Sequence, residues 1–464
     1  MKKLSWRTKF GFYLVAVGSA CGLGNLWRFP YIVGENGGGA FVLLYVLLAF
    51  VVGAPLLISE LTLGKLTGTG ILPLTKKISK EQGRRLSWVG YSSLVLSLVV
   101  LGYYAVISGW VLYFMTQFIF SLVHESGNHI GHIDVLLRNG WLQFALASVH
   151  LIFTVLVVNK GIHEGLEKWI NYVMPIFVLM VAILVIRVAS LSVAPDVLRF
   201  LFYPDFSKLS LSSMNHALGH VFFTLSIGFG VMVTFGSYMK PEDHTPTAGF
   251  RVSIVDTIAS LVALLLVFPL VFQIYSKPVT DPAILFQVLP GFLNSFTGGK
   301  IFGVLFFMCL YLAALNASIG LLEGVHSNTK DFKFLPTWSK KLGMASSRNL
   351  NVWIFGILAL ILATIPSVVN SFFFNRQGNM GTGLIESLDS LLINWVLPVV
   401  AFGVSLVICY GFKESEIRSD FVNEKHLVST TMYPHWRFSI RWITPVIIAT
   451  GLVLQIIDIL LRKL

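Results

Sequence analysis

Apolar residues run along this chain in stretches long enough to cross the ~30 Å hydrocarbon core of a bilayer. Eleven such stretches can be marked, at residues 10–29, 40–63, 94–123, 141–158, 169–191, 217–239, 252–275, 301–325, 352–373, 384–410 and 442–461. The polar connections between them are short. Even the longest, at 276–300 and 411–441, are too small to enclose a core of their own, so no soluble domain is expected. The pattern predicts an all-α integral membrane protein with eleven transmembrane helices.

Composition agrees, with 55% hydrophobic residues, 12% charged residues and a mean hydropathy of +0.77, far outside the soluble average. Of the 34 Lys and Arg, 24 fall in alternate connections, which places the N-terminus in the cytoplasm and the C-terminus, after an odd number of spans, outside. The net charge of +12 is thus largely a topology signal spread over separate loops, and no nucleic-acid partner is read from it. The start "MKKLSWRTK" feeds a long segment without a small-residue cleavage site and does not read as a cleavable signal peptide. Cys21, Cys309 and Cys409 all fall within spans and imply neither a disulfide framework nor a zinc spacing. His124, His129 and His132 in the external stretch "HESGNHIGH" read as solvated loop residues rather than metal ligands.

Two spans break the apolar pattern. The first carries "GSACGLGNLWRFPYIVGENGGGA" (18–40), and five spans later the sixth carries "TLSIGFG" (224–230). Glycines alone could serve close helix packing, but packing does not account for Asn25 and Arg28, because buried polar groups in a membrane are costly. Interruptions at corresponding places in two five-span halves predict inverted repeats, residues 1–191 and 192–411, with a binding site at the midplane, followed by a cytoplasmic loop and the eleventh span at 412–464. Backbone groups freed at such breaks are tolerated where ions or substrate satisfy them. The second half of span 1, starting near Gly24, would aim its dipole at a substrate carboxylate.

The first motif together with "FFTLSIGFG" and the Tyr103-Tyr104 pair resembles the neurotransmitter:sodium symporter family, and within it the bacterial amino-acid transporters, from Trp6 to about Tyr410. The resemblance implies one sodium ion held by the Ala20 carbonyl, Asn25, Thr224, Asp256 and the substrate carboxylate. It implies a second at the carbonyls of Gly18, Cys21 and Ala313 with side chains of span 8. There the usual adjacent hydroxyl pair is replaced by Asn316 and Ala317, with Ser318 one position on, so an amide oxygen remains and one ligand is missing.

By the same resemblance the substrate lies against Ala20, Gly22, Leu23, Gly24, Val100, Tyr104, Phe223, Thr224, Ser226, Phe229, Ala317 and Leu321. Carriers of biogenic amines hold an aspartate at the position of Gly22, so glycine there implies an amino acid, and the apolar lining implies a hydrophobic neutral one. Arg28 and Asp389, with Phe229, match an external gate. Trp6, Tyr238, Glu323 and Asp331 match an internal one, with Lys3 where an arginine is usual. Glu60, deep in span 2, reads as structural. Ser260 and Tyr45 are kept from the chloride site of relatives, but His220 stands where an amide is usual and Asp256 supplies a fixed charge, so no chloride is expected.

The resulting expectation is a sodium-coupled symporter of the plasma (inner) membrane that works by alternating access, with sodium, a hydrophobic amino acid and the bilayer as partners. Its oligomeric state is left open, a homodimer included. A proton-coupled carrier of the same architecture and a non-transporting amino-acid receptor are the alternatives. An enzyme is disfavoured: neither His124-Glu125 nor His163-Glu164 continues into HExxH, and no GxSxG occurs.

Overall fold

The computed structural model describes residues 5–20, 22–124, 133–275, 284–287, 289–294, 297–344, 346–377, 383–422 and 428–462. Cys21 and Lys3 lie outside the described residues, as do His129 and His132. Every regular element among those described is helical. Among the described residues, ten helices are long and apolar enough to cross a membrane: span 1 at Lys9–Glu35, 2 at Gly39–Thr67, 3 at Ser87–Val123, 4 at Gly140–Asn159, 5 at Ile162–Ala189, 7 at Thr245–Tyr275, 8 at Gly299–Thr329, 9 at Ser347–Phe373, 10 at Gly383–Tyr410 and 11 at Thr430–Leu461. Span 6 completes the eleven as two short helices, Ser213–Thr224 and Val231–Ser237, separated by an unwound segment.

Spans 3 and 8 pack most extensively against one another. The most apolar window of span 3 is 89% buried and that of span 11 only 22%, so span 3 is the central post and span 11 a peripheral helix facing lipid. Spans 2 and 6 approach closely because glycine faces backbone on both sides. A Cβ on Gly64 would collide with the Val233 carbonyl, and one on Gly236 with the Leu61 carbonyl.

Several spans bend where a wide turn precedes or contains a proline. π-helical turns at Gly24–Arg28, Ala49–Gly53, Leu392–Val396 and Ser439–Ile443 each end two residues before a proline, Pro30, Pro55, Pro398 or Pro445, and Ile365–Val369 contains Pro366. Proline cannot donate to the carbonyl four residues back and its ring crowds that carbonyl, so the preceding turn widens.

Candidate functional site

The breaks in spans 1 and 6 face one another, and the backbone groups they free are taken up by named side chains. After Ala20, the Gly22 amide turns back to the Ala20 carbonyl at 2.8 Å, and the next amide, Leu23, donates to the Tyr104 hydroxyl at 2.8 Å. In span 6 the chain leaves helix geometry after Thr224, with Ser226, Gly228 and Gly230 at φ of 55°, 84° and 72°. Two of these are glycine, which adopts that region without a Cβ penalty; Ser226 holds it as a strained residue. Glu60 of span 2 accepts from the Gly228 amide at 2.7 Å, and the Ser97 hydroxyl of span 3 donates to the Phe229 carbonyl at 2.8 Å. Glu60 is therefore a hydrogen-bonded brace of the span 6 break, the structural place its position in the sequence suggests.

Beside the breaks, spans 1, 6 and 7 bring three polar side chains together. The Thr224 hydroxyl lies 2.9 Å from Asn25 Oδ1 and 2.7 Å from Asp256 Oδ1, and Asn25 Nδ2 donates to Asp256 Oδ1 at 3.0 Å and to the Ser260 hydroxyl at 2.9 Å. Asn25, Thr224 and Asp256 are all buried, and Asp256 Oδ2 has no hydrogen-bond partner among the described residues. Converging oxygens of this kind suit a hard cation. Tyr45 extends the cluster through its hydroxyl, 2.9 Å from that of Ser260. His220 lies beyond, stacked on Phe29 at 4.4 Å between ring centroids, and neither ring nitrogen has a partner among the described residues.

Next to this cluster is a cavity lined by Ala20, Gly22, Gly24, Val100, Tyr104, Phe223, Thr224, Ser226, Phe229, Ala317 and Leu321. These are the residues expected around a substrate, apart from Leu23, which contributes its amide rather than a lining surface. Ser19 also lines the cavity and was not anticipated. The free space is about 20 Å3, room for a water or two. No carboxylate lines it.

On the other side of span 1, Gly18 faces Asn316 and Gly22 faces the Ala313 carbonyl, but Asn316 is turned. Its Oδ1 accepts from the Trp169 indole at 3.1 Å, which fixes the amide orientation because an indole nitrogen only donates. Its Nδ2 faces the Met174 sulfur at 3.7 Å. Ser318 points away from the cavity, its hydroxyl 2.8 Å from His150 Nε2 in span 4. Trp169 and His150 were not singled out in the sequence, where a lone aromatic or histidine within a span reads as packing.

The cavity is closed at both ends. On one side, Arg28 Nε donates to Asp389 Oδ2 at 2.8 Å, both side chains buried, and Arg28 also reaches Asn394 Oδ1 at 3.1 Å. Tyr31 and Tyr103 donate to the same carboxylate at 3.1 and 3.3 Å. Below this pair, Phe223 and Phe229 meet edge to face at 6.1 Å.

On the other side, the Trp6 indole donates to the Phe235 carbonyl and the Trp6 amide to the Tyr238 carbonyl, each at 3.1 Å. Tyr238 donates to Glu323 Oε1 at 2.9 Å. Glu323, fully buried, is paired at 2.5 Å with Arg348 of span 9, whose guanidinium also reaches the Val158 carbonyl at 2.7 Å. This corrects the expected inner cluster in one respect. Asp331 is exposed and makes no ion pair with any described residue, and among the described residues the cation in the cluster is Arg348, which the sequence presented only as one more basic residue of a cytoplasmic connection.

The described residues form a helical bundle with two facing breaks beside a small central cavity. The comparisons say which class of protein this is. The profile of the Sodium:neurotransmitter symporter family matches residues 3–136 and 128–463, and the chain belongs to that family, one of secondary transporters. It is 31% identical over 450 residues to YhdH, an uncharacterized sodium-dependent transporter of Bacillus subtilis, covering 96% of each chain. It is 26% identical over 481 residues to an uncharacterized sodium-dependent transporter of Methanocaldococcus jannaschii, covering 99% of this chain and 92% of that one. The crystal structure of MhsT in complex with L-phenylalanine superposes with a TM-score of 0.83 at 27% identity, covering 97% of this chain and 99% of MhsT.

Proposed function

We propose that this protein is a sodium-coupled symporter of a hydrophobic neutral amino acid that works by alternating access. The observation that carries the reading is the contact between the Asn25, Thr224 and Asp256 cluster and the cavity through Thr224, which belongs to both. An ion among those oxygens and a substrate carboxylate at the span 1 break would stabilise one another, and that is the physical basis of coupling. Val100, Phe223, Phe229, Ala317 and Leu321 give the cavity an apolar wall, and Gly22 leaves it without an acid that would meet an amine. The phenylalanine held by MhsT supports the same substrate class. Asp256 supplies a fixed negative charge beside Tyr45 and Ser260, so transport proceeds without chloride. The amide orientation of Asn316 and the methyl group of Ala317 leave the second sodium position short of oxygen ligands.

In the cycle, the Arg28–Asp389 pair and the Trp6, Tyr238, Glu323 and Arg348 cluster open in turn. The repeats 1–191 and 192–411 each supply one of the two broken spans, with the N-terminus in the cytoplasm and the chain in the plasma (inner) membrane. The deciding experiment is uptake of radiolabelled leucine, phenylalanine and tryptophan into proteoliposomes with and without an inward sodium gradient. Accumulation with the gradient alone supports the reading; accumulation driven equally by a proton gradient without sodium replaces it with the proton-coupled alternative.

A further inference from the structure

A second cleft, of about 350 Å3, lies apart from the central cavity where spans 1 and 7 begin. Lys9, Phe10 and Tyr13 form one wall and Asp243, His244 and Arg251 the other. Most of its polar groups are committed. His244 has one ring nitrogen 2.7 Å from the Thr247 hydroxyl and the other 3.0 Å from the Phe421 carbonyl. Asp243 Oδ2 accepts from the Lys240 amide at 2.9 Å.

The two cations are engaged only weakly. Lys9, largely exposed, forms a long ion pair with Asp243 Oδ1 at 3.8 Å. Arg251 is exposed, forms no ion pair among the described residues, and lies with its guanidinium carbon 5.6 Å from the Tyr13 ring centroid. One carboxylate therefore faces two cations, and the cleft carries a surplus positive charge.

Its mouth is bordered by exposed aromatic residues. Phe10, in the lining, is 69% exposed, and Phe250, the neighbour of Arg251, is 43% exposed. Basic side chains beside exposed aromatics at the end of a span are the arrangement of a membrane interface. A small aqueous anion would gain from the two cations but nothing from the aromatic wall, whereas a lipid phosphate uses both.

We propose that this cleft seats the phosphodiester headgroup of an anionic phospholipid, with Lys9 and Arg251 on the phosphate and an acyl chain along Phe10. Under the orientation proposed above, that lipid belongs to the cytoplasmic leaflet, whose negative lipids attract such groups. It ties the start of span 1 to span 7, next to the Trp6 contacts that close the cavity on that side.

The test is native mass spectrometry of the full chain purified with phosphatidylglycerol or phosphatidylcholine. It reads lipid retention and so is independent of whether sodium-driven uptake is found. The unmodified protein should hold one more phosphatidylglycerol than the Lys9→Gln/Arg251→Gln variant, each lost charge weakening retention about fivefold. Lys9→Arg/Arg251→Lys should keep the lipid, and Asp243→Asn, which removes the competing carboxylate, should tighten it. Equal phosphatidylglycerol retention in the unmodified protein and the double Gln variant overturns the proposal. So does displacement of the lipid by glycerol 1-phosphate at matched concentration, which would make the ligand a soluble phosphate.

Discussion

Asn25 and Asp256, 231 residues apart, are joined at 3.0 Å by a hydrogen bond from the Asn25 amide to the Asp256 carboxylate, at the place where span 1 loses its helix. The bond leaves the Asn25 amide oxygen turned to Thr224 and one Asp256 oxygen free of any described partner. Substituting either polar partner of Asp256 removes an oxygen from the set. Asn25→Ala or Thr224→Ala should weaken sodium-dependent amino-acid binding about tenfold to a hundredfold, the effect of losing a hydrogen bond to a charged group. Binding of tritiated substrate across a sodium titration measures it, and an unchanged sodium dependence in both variants would place the ion elsewhere.

Chloride independence rests on Asp256. Uptake should be the same when external chloride is replaced by gluconate. Asp256→Asn removes the fixed charge beside Tyr45 and Ser260 and should either abolish uptake or make it respond to chloride. Chloride-stimulated uptake by the unmodified protein would refute this account.

Ala317 lines the cavity, and the proposed second sodium position lacks a hydroxyl there. Ala317→Ser should lower the sodium concentration for half-maximal uptake severalfold. A flat comparison would mean that Asn316 already serves despite its bond to Trp169.

Glu323 is fully buried and its charge is met by Arg348. Arg348→Ala strands that carboxylate and should destabilise the fold by about 3–5 kcal/mol, since removing one partner leaves a buried unpaired charge. The double substitution Glu323→Gln/Arg348→Gln should recover most of the loss, and thermal unfolding in detergent measures both.

Gly22 is a tight point of the cavity. A Cβ there would sit 2.8 Å from the Tyr104 hydroxyl oxygen and 3.0 Å from the Ala317 Cβ. Gly22→Ala should therefore reduce substrate binding by roughly tenfold, at the lower end of the 1–3 kcal/mol that overfilling a packed site costs. Binding competition against the unmodified protein checks it.

Much of this was written in the amino-acid order. Eleven apolar stretches, the alternation of basic connections and the two glycine-rich interruptions determine a membrane bundle with breaks in spans 1 and 6, because span length and backbone satisfaction in lipid are local constraints. The residues around the cavity were legible too, through a motif long enough to carry positions as well as a fold. The partners of those residues were decided only by tertiary structure. Arg348 reads in sequence as a topology charge, and it becomes the counterion of Glu323 because span 9 begins beside the end of span 4. Asn316 reads as an oxygen ligand, and Trp169 of span 5 turns that oxygen aside. Asn394 meets Arg28 and Tyr31 meets Asp389, each from another turn of helix. Side-chain orientation and pairing across hundreds of residues depend on how helices rotate and cross, and an apolar pattern that is hydrophobic on every face records neither.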